Sequence, residues 1–108
     1  MLDLAFQALA EPRRREILRV LADRELTAGE VAARFDVTRP AISQHLGVLR
    51  AAGLVDERRD GTRRRYRVRQ DGLEPVRVWL DAFWHERLDA LKTVAEAEHA
   101  SHGGGRHG

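Results

Sequence analysis

The chain reads TRPAISQHLGVLRAAGLV from Thr38 to Val55. Ile42, Leu46 and Leu49 recur at three- and four-residue steps, which predicts an amphipathic helix with one buried apolar stripe. Gly53 follows this stripe and suits the left-handed backbone position at which helices commonly end. The segment therefore predicts a helix with a polar face open to solvent, followed by a turn into another element.

The exposed first half of this helix carries side chains that suit base edges and phosphates. Thr38 fits the N-cap, and Pro40 is tolerated in the first turn because the N–H groups there lack partners within the helix. Gln44 can pair with adenine and Arg39 with guanine, each through two hydrogen bonds. For His45, a packed histidine is the alternative to a base-reading one. The candidates for DNA contact are Thr38, Arg39, Pro40, Ser43, Gln44 and His45.

A basic hairpin, here called the wing, is predicted directly after this helix. Residues 54–59 and 62–69 have the pattern of two strands, and Asp60-Gly61 between them favours a type I′ turn. Over residues 57–69, seven arginines stand against two acidic residues, so the wing attracts polyanions. The wing residues expected at DNA are Arg58, Thr62, Arg63, Arg64 and Arg65.

The rest of the pattern predicts four further helices. Apolar spacing indicates a first helix over residues 2–9 and a second from Pro12 to about Asp23, with the arginines of residues 13–15 on its solvated first turn. A capping-box pattern over residues 27–30 opens a short third helix, and a long last helix covers residues 73–99. This order predicts a mainly α fold with a small β-hairpin, a winged helix-turn-helix.

The last helix carries more apolar surface than a terminal helix of a monomer needs. Its apolar residues follow three- and four-residue steps, and Trp79 and Phe83 widen the band. We expect Trp79 in the core and Trp84 in an interface between two copies of the chain. The homodimer interface is predicted to contain Leu2, Phe6, Leu9, Leu80, Phe83, Trp84, Leu88 and Leu91.

Composition narrows the class of protein. The 108 residues predict one domain over residues 1–99 and a flexible His- and Gly-rich tail over residues 100–108. The chain has no cysteine, which excludes disulfides and thiolate metal sites. It also has no apolar run of about 18 residues and no leader pattern, so we expect no membrane association and a cytoplasmic location.

Several motifs together resemble the ArsR (arsenic-repressor-like) family of bacterial transcriptional repressors. They are ALAEPRRREIL at 8–18, SQHL at 43–46, AGLV at 52–55 and GTRRRY at 61–66, while DAFW at 81–84 is similar to the non-metal branch. The resemblance covers roughly residues 2–98. It implies a homodimeric repressor, often of its own operon, that binds double-stranded DNA at an inverted-repeat operator.

Two other functions are compatible with parts of this sequence. A dimeric winged-helix module that binds only proteins remains an alternative. A metal-responsive repressor is a lesser one, because Asp81 and His85, with Asp89, His99 and His102 further on, do not match the spacing of metal-sensing relatives. No metal and no cofactor are therefore predicted, and a small-molecule effector stays unknown. Ser43 and His45, two apart on a helix, point in different directions, and no phosphate-binding loop is evident, so we expect no enzyme.

Overall fold

A computed structural model describes residues 2–101, with side chains described as far as residue 97. Its elements are α1 (Leu2–Leu9), α2 (Pro12–Asp23), β1 (Leu26–Thr27), α3 (Ala28–Phe35), α4 (Arg39–Ala51), β2 (Val55–Asp60), β3 (Arg63–Val68) and α5 (Gln70–Ser101). The predicted fold class is confirmed. α5 begins earlier than predicted, at Gln70, and the predicted tail lies outside the described residues from His102 onward.

The described chain divides into two units, with the boundary between Val76 and Arg77. The core belongs to the first unit, where the predicted stripe of α4 is buried: Ile42 and Leu49 are 0% exposed and Leu46 is 1% exposed. These side chains pack with apolar residues of every earlier helix and of the sheet. The largest fully buried members of the core are Ile17, Val31, Ile42, Leu46, Leu49, Leu54 and Val55.

The wing belongs to a three-stranded antiparallel sheet in the order β1-β3-β2. The strand β1 was not predicted, because two residues are too few to show an alternating pattern; Leu26 pairs with Tyr66 of β3. The predicted Asp60-Gly61 turn is wrong by one residue. Asp60 pairs with Arg63, which leaves Gly61 and Thr62 as the turn.

The turn is not type I′ either, because Gly61 has a φ of 66° whereas Thr62 is not in the positive-φ region. The side chain of Asp60 accepts a 2.8 Å hydrogen bond from Nε of Arg65. This bond adds a side-chain tie between the two strands at their end. Asp60 therefore serves as a strand residue, which a sequence pattern of turn formers could not show.

Helix ends follow the predicted caps. The Thr27 hydroxyl accepts from the backbone N–H of Glu30 at 3.2 Å, and the Glu30 carboxylate accepts from the N–H of Thr27 at 2.8 Å, which completes the capping box of α3. Thr38 caps α4 by accepting from the N–H of Ala41 at 3.3 Å. At each helix the cap gives a hydrogen-bond partner to a first-turn N–H that has none within the helix.

The carboxyl end of α1 is capped from α2, a role that the sequence did not reveal. Arg14 donates to the carbonyl oxygens of Ala8 at 2.7 Å and of Gln7 at 3.3 Å. Arg15 donates to the carbonyl oxygen of Leu9 at 2.8 Å. α1 has no basic residue in its own last turn, so these cations supply the charge that favours a helix carboxyl end. Arg15 is exposed and Arg14 is half-buried, so both lie near the surface of the first turn and also cap α1.

The second unit is the part of α5 that begins at Arg77, and its apolar side chains are exposed. Trp79 and Phe83 stack with ring centroids 5.5 Å apart. Trp79 is 46% exposed, so the prediction that it lies in the core is wrong. The spacing of apolar residues along a helix shows which of them share a face, but it does not show whether another element covers that face. The predicted interface residues Leu80, Phe83, Trp84, Leu88 and Leu91 are between 40% and 59% exposed. No described helix is long and apolar enough to cross a membrane.

Two glycines provide a matched test of the close approach between the beginning of α5 and the loop after α4. A Cβ placed on Gly72 would lie 1.8 Å from the carbonyl oxygen of Gly53, whereas one on Gly47 would meet nothing within 4 Å. We expect Gly72→Ala to lower the free energy of unfolding by about 3 kcal/mol, because backbone has to move. Gly47→Ala is expected to raise it by about 0.5 to 1 kcal/mol through helix propensity. Urea denaturation measures both, and equal effects of the two variants would contradict the close approach.

Candidate nucleic-acid interface

The exposed face of α4 contains the residues that the sequence singled out. The side chains of Thr38, Arg39, Pro40, Ser43 and Gln44 are exposed, and that of His45 is half-buried. This face exists because the opposite one is fully occupied by the core. The Thr38 hydroxyl oxygen is used in capping, which leaves its hydrogen available for an external acceptor.

An open groove of about 650 Å³ lies between the beginning of α3, the beginning of α4 and the wing. Arginines and hydroxyl groups dominate its polar lining, which comes from residues far apart in sequence. The polar residues that line it are Thr27, Glu30, Arg39, Ser43, Thr62, Arg63, Arg64 and Tyr66. The groove thus brings together two of the predicted helix residues and three of the predicted wing residues, while the other candidates lie outside its lining.

Arg39 extends from α4 across the beginning of α3. A Cβ placed on Gly29 would lie 3.6 Å from both Nε and Cζ of Arg39, so the guanidinium rests over the first turn of α3. This contact places the cation beside the N–H groups that begin α3. The guanidinium favours an anion at this end of the groove, where the carboxylate of Glu30 already accepts from the N–H of Thr27.

The arginines of the wing differ in how far they are neutralised by carboxylates. Arg58 donates to Glu25 at 2.7 Å and 3.2 Å, and Arg65 donates to Asp60 at 2.8 Å. Arg64 lies 3.5 Å from the carboxylate of Glu57. Arg58 and Arg65 are therefore engaged within the chain, whereas Arg64 is held by a longer contact.

Arg63 has no described carboxylate within ion-pair distance. It is exposed, lines the groove and stands next to the turn of the wing. The neighbouring strand carries Arg59, which is also exposed and which the sequence interpretation left out. Among the arginines of the wing and the groove, those without an ion-pair partner in residues 2–97 are Arg39, Arg59 and Arg63.

The ion pairs shift the pKa of the carboxyl groups involved. The hydrogen bond from Arg58 is the main reason that the pKa of Glu25 lies below its ordinary value, with help from the charge of Arg67. The hydrogen bond from Arg65 likewise lowers the pKa of Asp60. The partners Arg58 and Arg65 have a raised pKa for the same reason. These pairs stay charged at neutral pH, so they keep their arginines in place.

The ring of His45 contacts an arginine of α2. Nη1 of Arg14 lies 3.4 Å from Nδ1 of His45, while the same guanidinium caps α1. The predicted alternatives, a packed histidine or a base-reading one, are therefore not exclusive, because the contact described within residues 2–97 uses Nδ1 and leaves Nε2 available.

The residues considered for a metal do not come together where the structure describes them. Nδ1 of His85 lies 2.7 Å from the backbone carbonyl oxygen of Asp81, whose carboxylate pairs with Arg77. Among residues 2–97, no three His, Asp or Glu side chains are placed to share a metal ion. The side chains of His99 and His102 lie outside the described set.

Known proteins match both the sequence and the arrangement. A family model described as a helix-turn-helix domain matches residues 9–58. The HTH-type transcriptional regulator Rv2034 of Mycobacterium tuberculosis is 45% identical over 89% of this chain and 90% of its own. An ArsR-like transcriptional regulator from Rhodococcus sp. RHA1 is 37% identical with a TM-score of 0.71, over 87% of this chain and 92% of that one.

The chain belongs to the ArsR family. A further structural relative is the homodimeric winged helix-turn-helix DNA-binding domain of Mb0332 from Mycobacterium bovis, 31% identical with a TM-score of 0.63 over 99% of this chain and 87% of that one. ArsR-family proteins are DNA-binding transcriptional regulators, which confirms that this member is not an enzyme. In this ArsR-family protein the open groove lies beside α4.

The pair between Glu25 and Arg58 predicts a pH-dependent stability. Because the folded-state pKa of Glu25 is lowered from its ordinary value of 4.5, the pair stabilises the fold fully above that value and progressively less as pH falls through the lowered one. We expect Glu25→Gln to be less stable than the wild type at pH 7 and equal to it at the acid end. Urea denaturation from pH 7 to pH 3 measures this difference.

Glu16→Gln serves as the control, since its partner Arg13 is 3.8 Å away on the surface of α2. The control pair has one long contact, whereas Arg58 donates two hydrogen bonds to Glu25, so the loss of Glu16 should change the free energy of unfolding less. A constant difference between Glu25→Gln and the wild type at every pH would contradict the role of the charged pair.

Proposed function

We propose that this ArsR-family protein is a homodimeric repressor, including of its own gene, that binds an inverted-repeat operator. α4 enters the major groove and the wing lies along the backbone or in the minor groove. The groove between α3, α4 and the wing carries the proposal, because Arg39 and Arg63 lie on its two sides and neither has an ion-pair partner among residues 2–97. A cytoplasmic location follows from this activity.

The recognition helix supplies sequence discrimination in this proposal. Arg39 and Gln44 are long enough to make paired hydrogen bonds with guanine and adenine edges. Thr38 and Ser43 donate to phosphate from the same exposed face, and Pro40 contacts the backbone beside them. Each good bidentate base contact contributes about 1 to 3 kcal/mol of discrimination.

The wing supplies affinity rather than sequence preference. Arg63 and Arg64 line the groove and face a phosphate directly, and Thr62 adds a hydroxyl donor at the turn. Arg58 and Arg65 support the wing through their carboxylates and would reach DNA only after breaking those pairs. The five predicted wing residues thus divide into three that contact and two that support.

Homodimerisation is supported by two apolar surfaces that the described chain leaves open. The α5 residues Leu80, Phe83, Trp84, Leu88 and Leu91 are exposed, and Leu2, Phe6 and Leu9 of α1 are half-buried against the core. A twofold dimer presents two copies of α4, which suits half-sites about one DNA turn, roughly 34 Å, apart. Residues 1–99 form the DNA-binding and dimerisation domain in this proposal, followed by a flexible tail over residues 100–108.

The unequal wing arginines give a direct test with DNA. The target is the protected fragment found by footprinting the region upstream of the gene. We expect Arg63→Ala to weaken binding and to reduce the slope of log affinity against log salt by about one, since a phosphate contact is lost. Arg58→Ala removes the same side chain from a supporting position and should change the slope little. Fluorescence anisotropy between 50 and 200 mM salt provides both values.

The triple replacement of Arg63, Arg64 and Arg65 by Ala separates DNA binding from a protein-interaction module. If the wild type contacts about 6 to 10 phosphates, its affinity should fall about a thousandfold or more over that salt range. Unchanged binding of the triple variant to upstream DNA would count against the proposal. A protein without any protected upstream fragment would favour the interaction module.

Replacement of one exposed leucine tests the dimer. Leu88 is 57% exposed, so Leu88→Glu leaves the core intact while it places a charge in the proposed interface. We expect a dimer of the wild type and a monomer of Leu88→Glu in sedimentation at micromolar concentration. Thr93→Glu adds the same charge on a different face of α5 and should remain dimeric. A monomeric wild type would remove the basis of the inverted-repeat operator.

A further inference from the structure

One arginine of α2 contacts two other helices at once. Nε of Arg14 donates to the carbonyl oxygen of Ala8 at 2.7 Å, and Nη2 donates to that of Gln7 at 3.3 Å. The remaining arm, Nη1, lies 3.4 Å from Nδ1 of His45 on α4. The planar fork is therefore fixed at one end by α1 and holds the recognition helix with the other.

The chemistry of this contact determines which nitrogen of His45 carries the proton. A guanidinium has only donors, so the nitrogen that it contacts must be an acceptor. Nδ1 of His45 is then unprotonated, and the neutral ring carries its proton on Nε2. A doubly protonated ring would offer Arg14 a second donor instead of an acceptor. The contact thus selects one tautomer of a ring that sits on the DNA-facing helix.

We propose that Arg14 is a positioning residue that makes His45 a neutral Nε2–H donor toward DNA. This inference rests on the proposed function and adds a chemical preference to it. Nε2–H pairs with the major-groove acceptors of guanine (N7 and O6), adenine (N7) and thymine (O4) or with a phosphate oxygen, and it does not pair with the amino groups of adenine and cytosine, so cytosine offers it no partner. Because Arg14 occupies Nδ1, the ring discriminates between bases through the Nε2–H donor that remains available to DNA.

Burial makes the arrangement well defined. Both Arg14 and His45 are half-buried, and two of the three Arg14 contacts are to backbone oxygens, which cannot rotate away. A lysine at position 14 would keep the charge beside the end of α1. Its single ammonium lacks the flat fork that spans two carbonyl oxygens and a ring nitrogen in three directions.

Arg15 offers a matched control within the same turn. It also caps α1, through the carbonyl oxygens of Leu9 at 2.8 Å and Ala10 at 3.3 Å, and it has no described contact with His45. Arg14→Met and Arg15→Met each remove a cap of α1 and retain an apolar stem. Only Arg14→Met also frees the ring of His45, so their difference isolates the positioning role.

The test compares operator affinity in Arg14→Met, Arg15→Met, His45→Ala and the double variant Arg14→Met/His45→Ala. We expect Arg14→Met to weaken binding to the footprinted fragment about tenfold, as expected for loss of one good contact. Arg15→Met should bind as the wild type does. In the His45→Ala background, Arg14→Met should add nothing, because its effect passes through the ring.

A second readout needs no DNA. Two-bond proton–nitrogen NMR correlations of the His45 ring report which nitrogen is protonated. We expect a single tautomer, with the proton on Nε2, in the wild type and in Arg15→Met, and a mixture in Arg14→Met. Arg14→Lys is the second variant should Arg14→Met fail to fold, and it should also give a mixture because the fork is lost.

Additive losses in the double variant, or an unchanged tautomer in both Arg14 variants, would overturn the inference. Additive losses would mean that Arg14 acts through the end of α1 alone. If the wild type binds no upstream DNA, the proposed function fails and the role of His45 at DNA fails with it. The NMR spectra would still report separately whether Arg14 sets the tautomer.

Discussion

Burial of one apolar stripe of α4 is the constraint on which the other features depend. Ile42, Leu46 and Leu49 are almost completely removed from solvent, and each contributes about 1.5 to 3 kcal/mol by leaving water. A helix held along this stripe cannot rotate about its axis without exposing it. The polar face is therefore fixed outward, and Arg39 and Ser43 meet the wing across a groove rather than at random angles.

Carboxylates select which arginines of the wing remain open to a polyanion. Glu25 lies just before β1 and holds Arg58, and Asp60 at the wing's end holds Arg65. A surface made only of unpaired arginines would repel itself, so these pairs allow a dense basic hairpin to keep one conformation. Part of the charge counted in the sequence is therefore used within the chain, and Arg63 is the wing residue for which we propose the clearest contact with DNA.

The side chain of Arg14 connects the carboxyl end of α1 with His45 of α4. Arg14 and Arg15 supply donors to carbonyls that α1 cannot satisfy within itself. Because Arg14 also reaches His45, the α1 backbone and the ring that we place at DNA share one guanidinium. A change in the position of α1 would therefore alter the hydrogen bonding of the ring without any ligand contacting α4.

Sequence patterns were sufficient for the elements whose signals are local. The period of Ile42, Leu46 and Leu49 identified α4 and its buried face, and the spacing of Thr27 and Glu30 identified the start of α3. Both signals are local, because caps and amphipathic helices depend on residues three or four positions apart. The basic wing and the family motifs were equally clear in the sequence.

Strand β1 and the exact turn were not, since a two-residue strand exists only through its partner β3. Which arginines are paired, and why Arg14 faces His45 across 31 residues of chain, followed from the tertiary structure alone, because such contacts depend on where separate elements meet in space.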